Sequence, residues 1–180
     1  MALPASIYRV NIQLADVDRG VYEALQATVA RHPSETVERL VTRLLAYALF
    51  FEPELTFTKG LSAGDEPDLW VKGADGRVVF WIEAGLPEAE RVIKASRHSQ
   101  HVAIVASGRT LANWEKQQLS KIKDIPYIKI FRFNQTFINC LVAKLDRVIN
   151  WEVTISDSRL YINVGDETFE AALQEQVEHS

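Results

Sequence analysis

An α/β fold with a central mixed sheet is what this sequence predicts, on three observations. Segments alternating apolar and polar residues, the mark of strands with one buried face, open the chain ("ASIYRVNIQLAD"), occupy its middle ("DLWVKGADGRVVFWIEAG") and close it ("WEVTISDSRLYINV"). Longer runs with apolar residues at helical spacing lie between them. No repeat, low-complexity tract or linker divides the chain, so residues 1–180 read as one domain. A chain of this length, 47% hydrophobic, buries roughly 70% of its unfolded surface and needs no disulfide or structural metal. The single Cys140, in "TFINCLVAKLDRV", is accordingly expected to be a small buried thiol and not a nucleophile.

Taken in order, the first strand sets Tyr8, Val10, Ile12 and Leu14 on a buried face against Ile7, Arg9, Asn11 and Gln13, and a turn follows over Asp16 to Gly20. "YEALQATVARH" permits a second strand ending at His32 and Pro33. "SETVERLVTRLLAYALFF" carries the clearest helical pattern: Ser34 as cap, Glu35 in the first turn, and Val37, Leu40, Val41, Leu44, Leu45 and Ala48 as one core-facing stripe. After Pro53, "LTFTKG" is a short strand leading to a hairpin turned at Gly73-Ala74-Asp75-Gly76. Pro87 begins a helix with leading acids and trailing bases, and "HVAIVAS" is a strand covered on both faces. "RTLANWEKQQLSKIK" is a further helix, "YIKIFRF" a strand and "QTFINCLVAKLDRV" a long helix. A hairpin turned at Asp157-Ser158 closes the fold, and the acidic tail from Gly165 is expected to fray.

The N-terminus has no basic region followed by an apolar segment, and no uncharged run reaches the roughly 18 residues of a membrane span. A cytoplasmic location is the expectation. The net charge of −4 disfavours general affinity for phosphates, but its distribution is uneven. Residues 91–133 hold nine basic side chains against two acids, a net of +7, which leaves −11 on the remainder. One basic face on an acidic protein is the footprint of a nucleic-acid ligand, DNA or RNA; a merely solvated helical surface is the plainer reading.

The central hairpin raises a chemical question, because its two apolar strands carry Asp68 and Glu83. With an even turn, Lys72 comes opposite Arg77 and Asp68 opposite Trp81, so Glu83 shares a face with Asp68 at a diagonal of roughly 7–8 Å between backbones. An odd loop or a bulge would part them. Two carboxylates crowded out of water must lose a charge, meet a cationic side chain, or share a metal ion. Mg²⁺ or Mn²⁺ suits such oxygens, with the Ala84 carbonyl completing the protein's share, and such an ion promotes phosphodiester hydrolysis.

Pro67-Asp68, a hairpin and then Glu83-Ala84-Gly85, flanked by helices, resembles the PD-(D/E)XK nuclease superfamily. "RHPSET", "FTKGL", "DEPDLW" and "WIEAGLPEAERVIKAS" resemble the YaeQ family of bacterial proteins over nearly the whole chain. The resemblance implies a restriction-endonuclease-like αβββαβ core, here extended by N- and C-terminal strands. It implies Asp68 and Glu83 as metal ligands, with Glu35 a third. Gly85 departs from the pattern, standing where the superfamily has a lysine. Arg91 or Lys94, three residues apart on the next helix, could supply the missing cation, and with Arg97 they are the expected nucleic-acid contacts.

Other positions carry plainer readings. Trp70 and Trp81 fall on the carboxylate face, where core packing outweighs base stacking. Glu66 reads as a loop acid, His32 as a loop histidine, and His98 with His101 as too little for zinc. "SGR" at 107–109 is too short for a phosphate loop. The expected function is thus a Mg²⁺- or Mn²⁺-dependent nuclease-like protein. Its alternatives are an inactive regulatory or partner-binding module whose acids are satisfied by Arg or Lys, and a hydrolase of small phosphates.

Overall fold

The computed structural model describes residues 3–59 and 65–173 and contains two five-stranded mixed sheets in place of the single sheet expected. Strand β1 (Ser6–Asp16) pairs antiparallel with β2 (Val21–Arg31) and parallel with β8 (Val148–Ser156). Strands β9 (Arg159–Val164) and β10 (Glu167–Ala172) extend that sheet in the order β10-β9-β8-β1-β2. The second sheet runs β3 (Thr56–Phe57), β4 (Leu69–Lys72), β5 (Val78–Ala84), β6 (His101–Ala106) and β7 (Ile128–Arg132). Its first three strands form an antiparallel meander; β5, β6 and β7 are parallel.

Helix α1 (Val37–Leu49) explains why one domain holds two sheets. Of its expected stripe, Leu40, Val41, Leu44, Leu45 and Ala48 are buried and Val37 is half-buried; Thr42, Arg43, Ala46 and Tyr47 are buried as well, because the helix is enclosed on nearly every side. One apolar cluster joins it to Val10 and Ile12 of β1, Leu25 and Val29 of β2, Trp151 and Val153 of β8, and to Leu69, Ile82 and Val105 of the second sheet. Each fully buried Leu or Val contributes about 1.5–3 kcal/mol over exposure, so the helix is the centre of the core. Its cap is Thr36, whose hydroxyl accepts from the Arg39 amide at 3.2 Å; Ser34 instead bonds the His32 ring at 2.7 Å. Glu35 therefore lies before the helix, its amide tied to the His32 carbonyl. At the other end Arg19, from the β1–β2 turn, donates to the Ala48 and Phe51 carbonyls, which the helix leaves without partners.

Helix α2 (Ala89–His98) begins two residues after Pro87 and, with β6 and β7, builds a smaller cluster on the opposite face of the second sheet. The helix expected over 109–123 is broken. It runs as α3 (Leu111–Trp114), a π-helical turn (Glu115–Leu119) and α4 (Ser120–Ile122), the wider turn re-phasing the chain so that Trp114 and Ile122 both reach that cluster. Helix α5 (Gln135–Ala143), capped by Asn134, is shorter than expected because Val148 already pairs with Arg9 on β1. Cys140 on it is half-buried. The chain beyond Gly165 does not fray at once: Gly165 turns at φ +60° and β10 pairs with β9, while residues 174–180 of the acidic tail lie outside the described residues. The β8–β9 turn holds Asp157 and Ser158 at φ +51° and +57°, and Asp18 accepts from both amides at 2.9 Å. Among the described residues no helix is long and apolar enough to cross a membrane.

Candidate functional site

The β4–β5 hairpin brings the two acids closer than the even turn implied. Gly76 adopts φ +83° and the Gly73 amide bonds the Arg77 carbonyl, so the loop is odd; Val79 then forms a bulge between the pairs Lys72–Val78 and Val71–Phe80. Two one-residue shifts restore the parity. The corrected register pairs Trp70 with Trp81 and Leu69 with Ile82. Just beyond it the Asp68 amide bonds the Ile82 carbonyl at 3.0 Å and its carboxylate reaches the Ala84 amide, so Asp68 lies against the end of β5 and not opposite Trp81.

Both acids are buried, Asp68 at 2% and Glu83 at 5% exposure, and each meets a guanidinium. Asp68 accepts from Arg39 through Oδ1 and from the Ala84 amide through Oδ2 at 2.7 Å. Arg39 also donates to Glu35 Oε2 at 2.9 Å, and Arg43 donates to Glu35 Oε1 at 2.7 Å, so a chain of alternating charges runs from inside α1 to the hairpin. Such pairing is what lets these ions stay dry. Glu83 Oε1 accepts from Arg91 Nε at 2.6 Å and Trp81 Nε1 at 2.9 Å, which leaves Oε2 to a ligand. Burial, followed by the charge of Asp68, raises the Glu83 pKa; Arg91 and the Trp81 N–H oppose the rise.

Of these groups Arg39, Glu83, Ala84 and Arg91 border a pocket of about 350 Å³, whose wall does not include Asp68. Its wall is Glu38, Arg39 and Thr42 from α1, Glu83 to Pro87 from the end of β5, Arg91 from α2, and Ser107 and Gly108 after β6. Thr42 and Ser107 share a buried hydroxyl contact at 2.6 Å. As metal ligands, two adjacent carboxylates are an incomplete shell. Among the described residues no group of three or more His, Cys, Asp or Glu is placed to hold an ion. A hard divalent cation fits only with water or substrate oxygens added and with Arg39 drawn off Asp68.

A model of the YaeQ protein family matches residues 1–173. The chain belongs to the YaeQ family. YaeQ proteins of Salmonella typhi and Escherichia coli (strain K12), both described as uncharacterized, are 35% and 34% identical over 164 residues, 91% of this chain and of each relative. The crystal structure of YaeQ from Pseudomonas syringae superposes with a TM-score of 0.91 at 39% identity, covering 97% of both chains. That from Xanthomonas axonopodis pv. citri gives 0.91 at 32% identity over 96% of this chain and 98% of the other.

Within this YaeQ fold the residues expected from sequence separate. Asp68, Glu83 and Arg91 converge. Glu35 does not line the pocket; its two oxygens are spent on Arg39 and Arg43. Lys94 and Arg97 are exposed on α2 outside the pocket wall, and Arg109, Lys116, Lys121 and Lys123 are also exposed. Arg132, by contrast, pairs with Glu115 at 3.1 Å. The sequence reading missed Arg39, Arg43 and Glu38. Their signal was present: "ETVERLVTR" spaces Glu35, Arg39 and Arg43 four apart, one helical face of alternating charge. It also passed over Ser107 and Gly108, which reach the pocket although "SGR" forms no phosphate loop.

Proposed function

We propose that this YaeQ protein is a nuclease-like protein with a restriction-endonuclease-like core, acting on or gripping nucleic acid at the pocket bordered by Glu83 and Arg91. The order α1-β3-β4-β5-α2-β6, with an antiparallel meander followed by a parallel crossover, supports the core assignment. The observation that carries the reading is the convergence at the end of β5: Asp68 reaches the Ala84 amide beside Glu83, and Arg91 reaches back from α2 to within 2.6 Å of Glu83. Arg91 thus takes the place of the motif lysine that Gly85 cannot provide.

Mg²⁺ or Mn²⁺ at the two carboxylates would polarise a phosphodiester and acidify water. The chain's own residues supply the rest. Arg91 sets a fixed positive charge where negative charge develops in phosphoryl displacement. Exposed Lys94, Arg97 and Arg109 attract the polymer.

A second reading, a partner-binding module without chemistry, is favoured by the guanidinium clasp on each acid. Titrating Mn²⁺ into wild type and Asp68→Asn by calorimetry, beside cleavage assays on single- and double-stranded DNA and RNA, separates the two. The nuclease-like reading expects heat and cleavage from wild type, both reduced about 100-fold in the variant. Equal heats with no cleavage would leave the binding module.

A further inference from the structure

We infer that the pocket takes single-stranded nucleic acid, an unpaired base of which stacks on Trp70; this rests on the nuclease-like reading and names the substrate class for it. One face of the β4–β5 ladder carries Trp70 opposite Trp81, each two residues along its strand from Asp68 and Glu83, with Trp70 outside the pocket wall itself. Trp81 is already committed. Its Nε1 donates to Glu83, its ring packs on the cluster beneath α2, and the Arg91 guanidinium lies 5.8 Å from its centroid.

Trp70 is placed differently. It is half-buried and is part of neither apolar cluster among the described residues. Its neighbour across the next strand is only the exposed Thr56 of β3. Lys72, two residues along the same strand, holds its ammonium 4.0 Å from the Trp70 centroid. A partly open indole with a cation over it offers a π-face to a base and a charge to its phosphate, the two elements of strand binding that ignores sequence. In a duplex both faces of every base are covered by neighbours, so only an unpaired or extruded base can use that indole.

The test is anisotropy of three labelled ligands in EDTA: an oligothymidine strand, the same strand made abasic, and a duplex of equal length. The strand is expected to bind wild type about 10-fold more tightly than either of the others. Trp70→Leu should lose that margin, and Trp70→Phe, which keeps a ring, should recover most of it. Equal affinity for the strand and its abasic form on wild type overturns the proposal without any variant. So does a folded Trp70→Leu that binds the strand as wild type does. Strand binding through Trp70 with no Mn²⁺-dependent cleavage would count against the nuclease reading alone. Cleavage abolished by Asp68→Asn, with strand binding indifferent to Trp70, would count against this inference alone.

Discussion

The Glu83 carboxyl sits between one cation and one anion, and burial decides the outcome: its pKa is raised, with the Asp68 charge adding to the effect and Arg91 subtracting from it. The folded chain then holds that proton more tightly than the unfolded chain does. Between the unfolded value near 4.5 and the higher folded one, the native state carries more bound protons, so this group's contribution to stability falls as pH rises. Glu83→Gln removes the titration. Thermal melts of both proteins across mildly acidic to neutral pH should show the wild type losing ground to Glu83→Gln as pH rises through that window; a pH-independent difference would contradict it. Asp68 and Glu83 stood out in the sequence as carboxylates within apolar strands, but their placement relative to each other depends on an odd loop and a bulge that local alternation does not show. Arg91 was a candidate cation from the sequence, but Arg39 was not, since it is 29 residues from Asp68 and only the packing of α1 beside the hairpin joins them.

At the scale of single elements, the end of β5 shows why position 85 carries no side chain. Gly85 has φ +113°, and its amide bonds the Val105 carbonyl of β6. A Cβ there would meet nothing within 4 Å, so the obstacle to a side chain is backbone conformation and not space. Gly85→Lys, although it restores the motif, should lower stability by about 1–3 kcal/mol, as should Gly85→Ala, measured by urea unfolding. Equal midpoints for both variants and wild type would mean that the β5 end relaxes freely. The β4–β5 loop is instructive in the same way. The turn residues Gly73 and Gly76 marked its position, but the Val79 bulge, which shifts the register by one residue, has no signature in a run of Val, Val, Phe and Trp. Likewise the π-turn at Glu115–Leu119 is invisible in "WEKQQLS", a sequence with good helix formers throughout, because the demand that Trp114 and Ile122 share a cluster comes from elsewhere.

Across the whole molecule, one apolar cluster spans both sheets through α1, so the sheets should not unfold separately. Leu44→Ala, at a fully buried position on that helix, should cost about 2–5 kcal/mol. The loss should appear in one transition, with tryptophan emission and far-ultraviolet dichroism coinciding, since Trp151 reports on the first sheet and Trp70 and Trp81 on the second. Two separated transitions would show that α1 does not couple them. The sequence by itself determined the order of most strands and helices and the buried stripe of α1, because each follows from local periodicity along a few residues. Only the tertiary structure decided that the strands divide into two sheets around α1, that Arg39 and Arg91 close on the acids, and that Glu35 is consumed by Arg43. Those outcomes depend on which distant segments compete for the same buried surface, a competition settled by long-range packing and by the cost of leaving any interior charge without a partner.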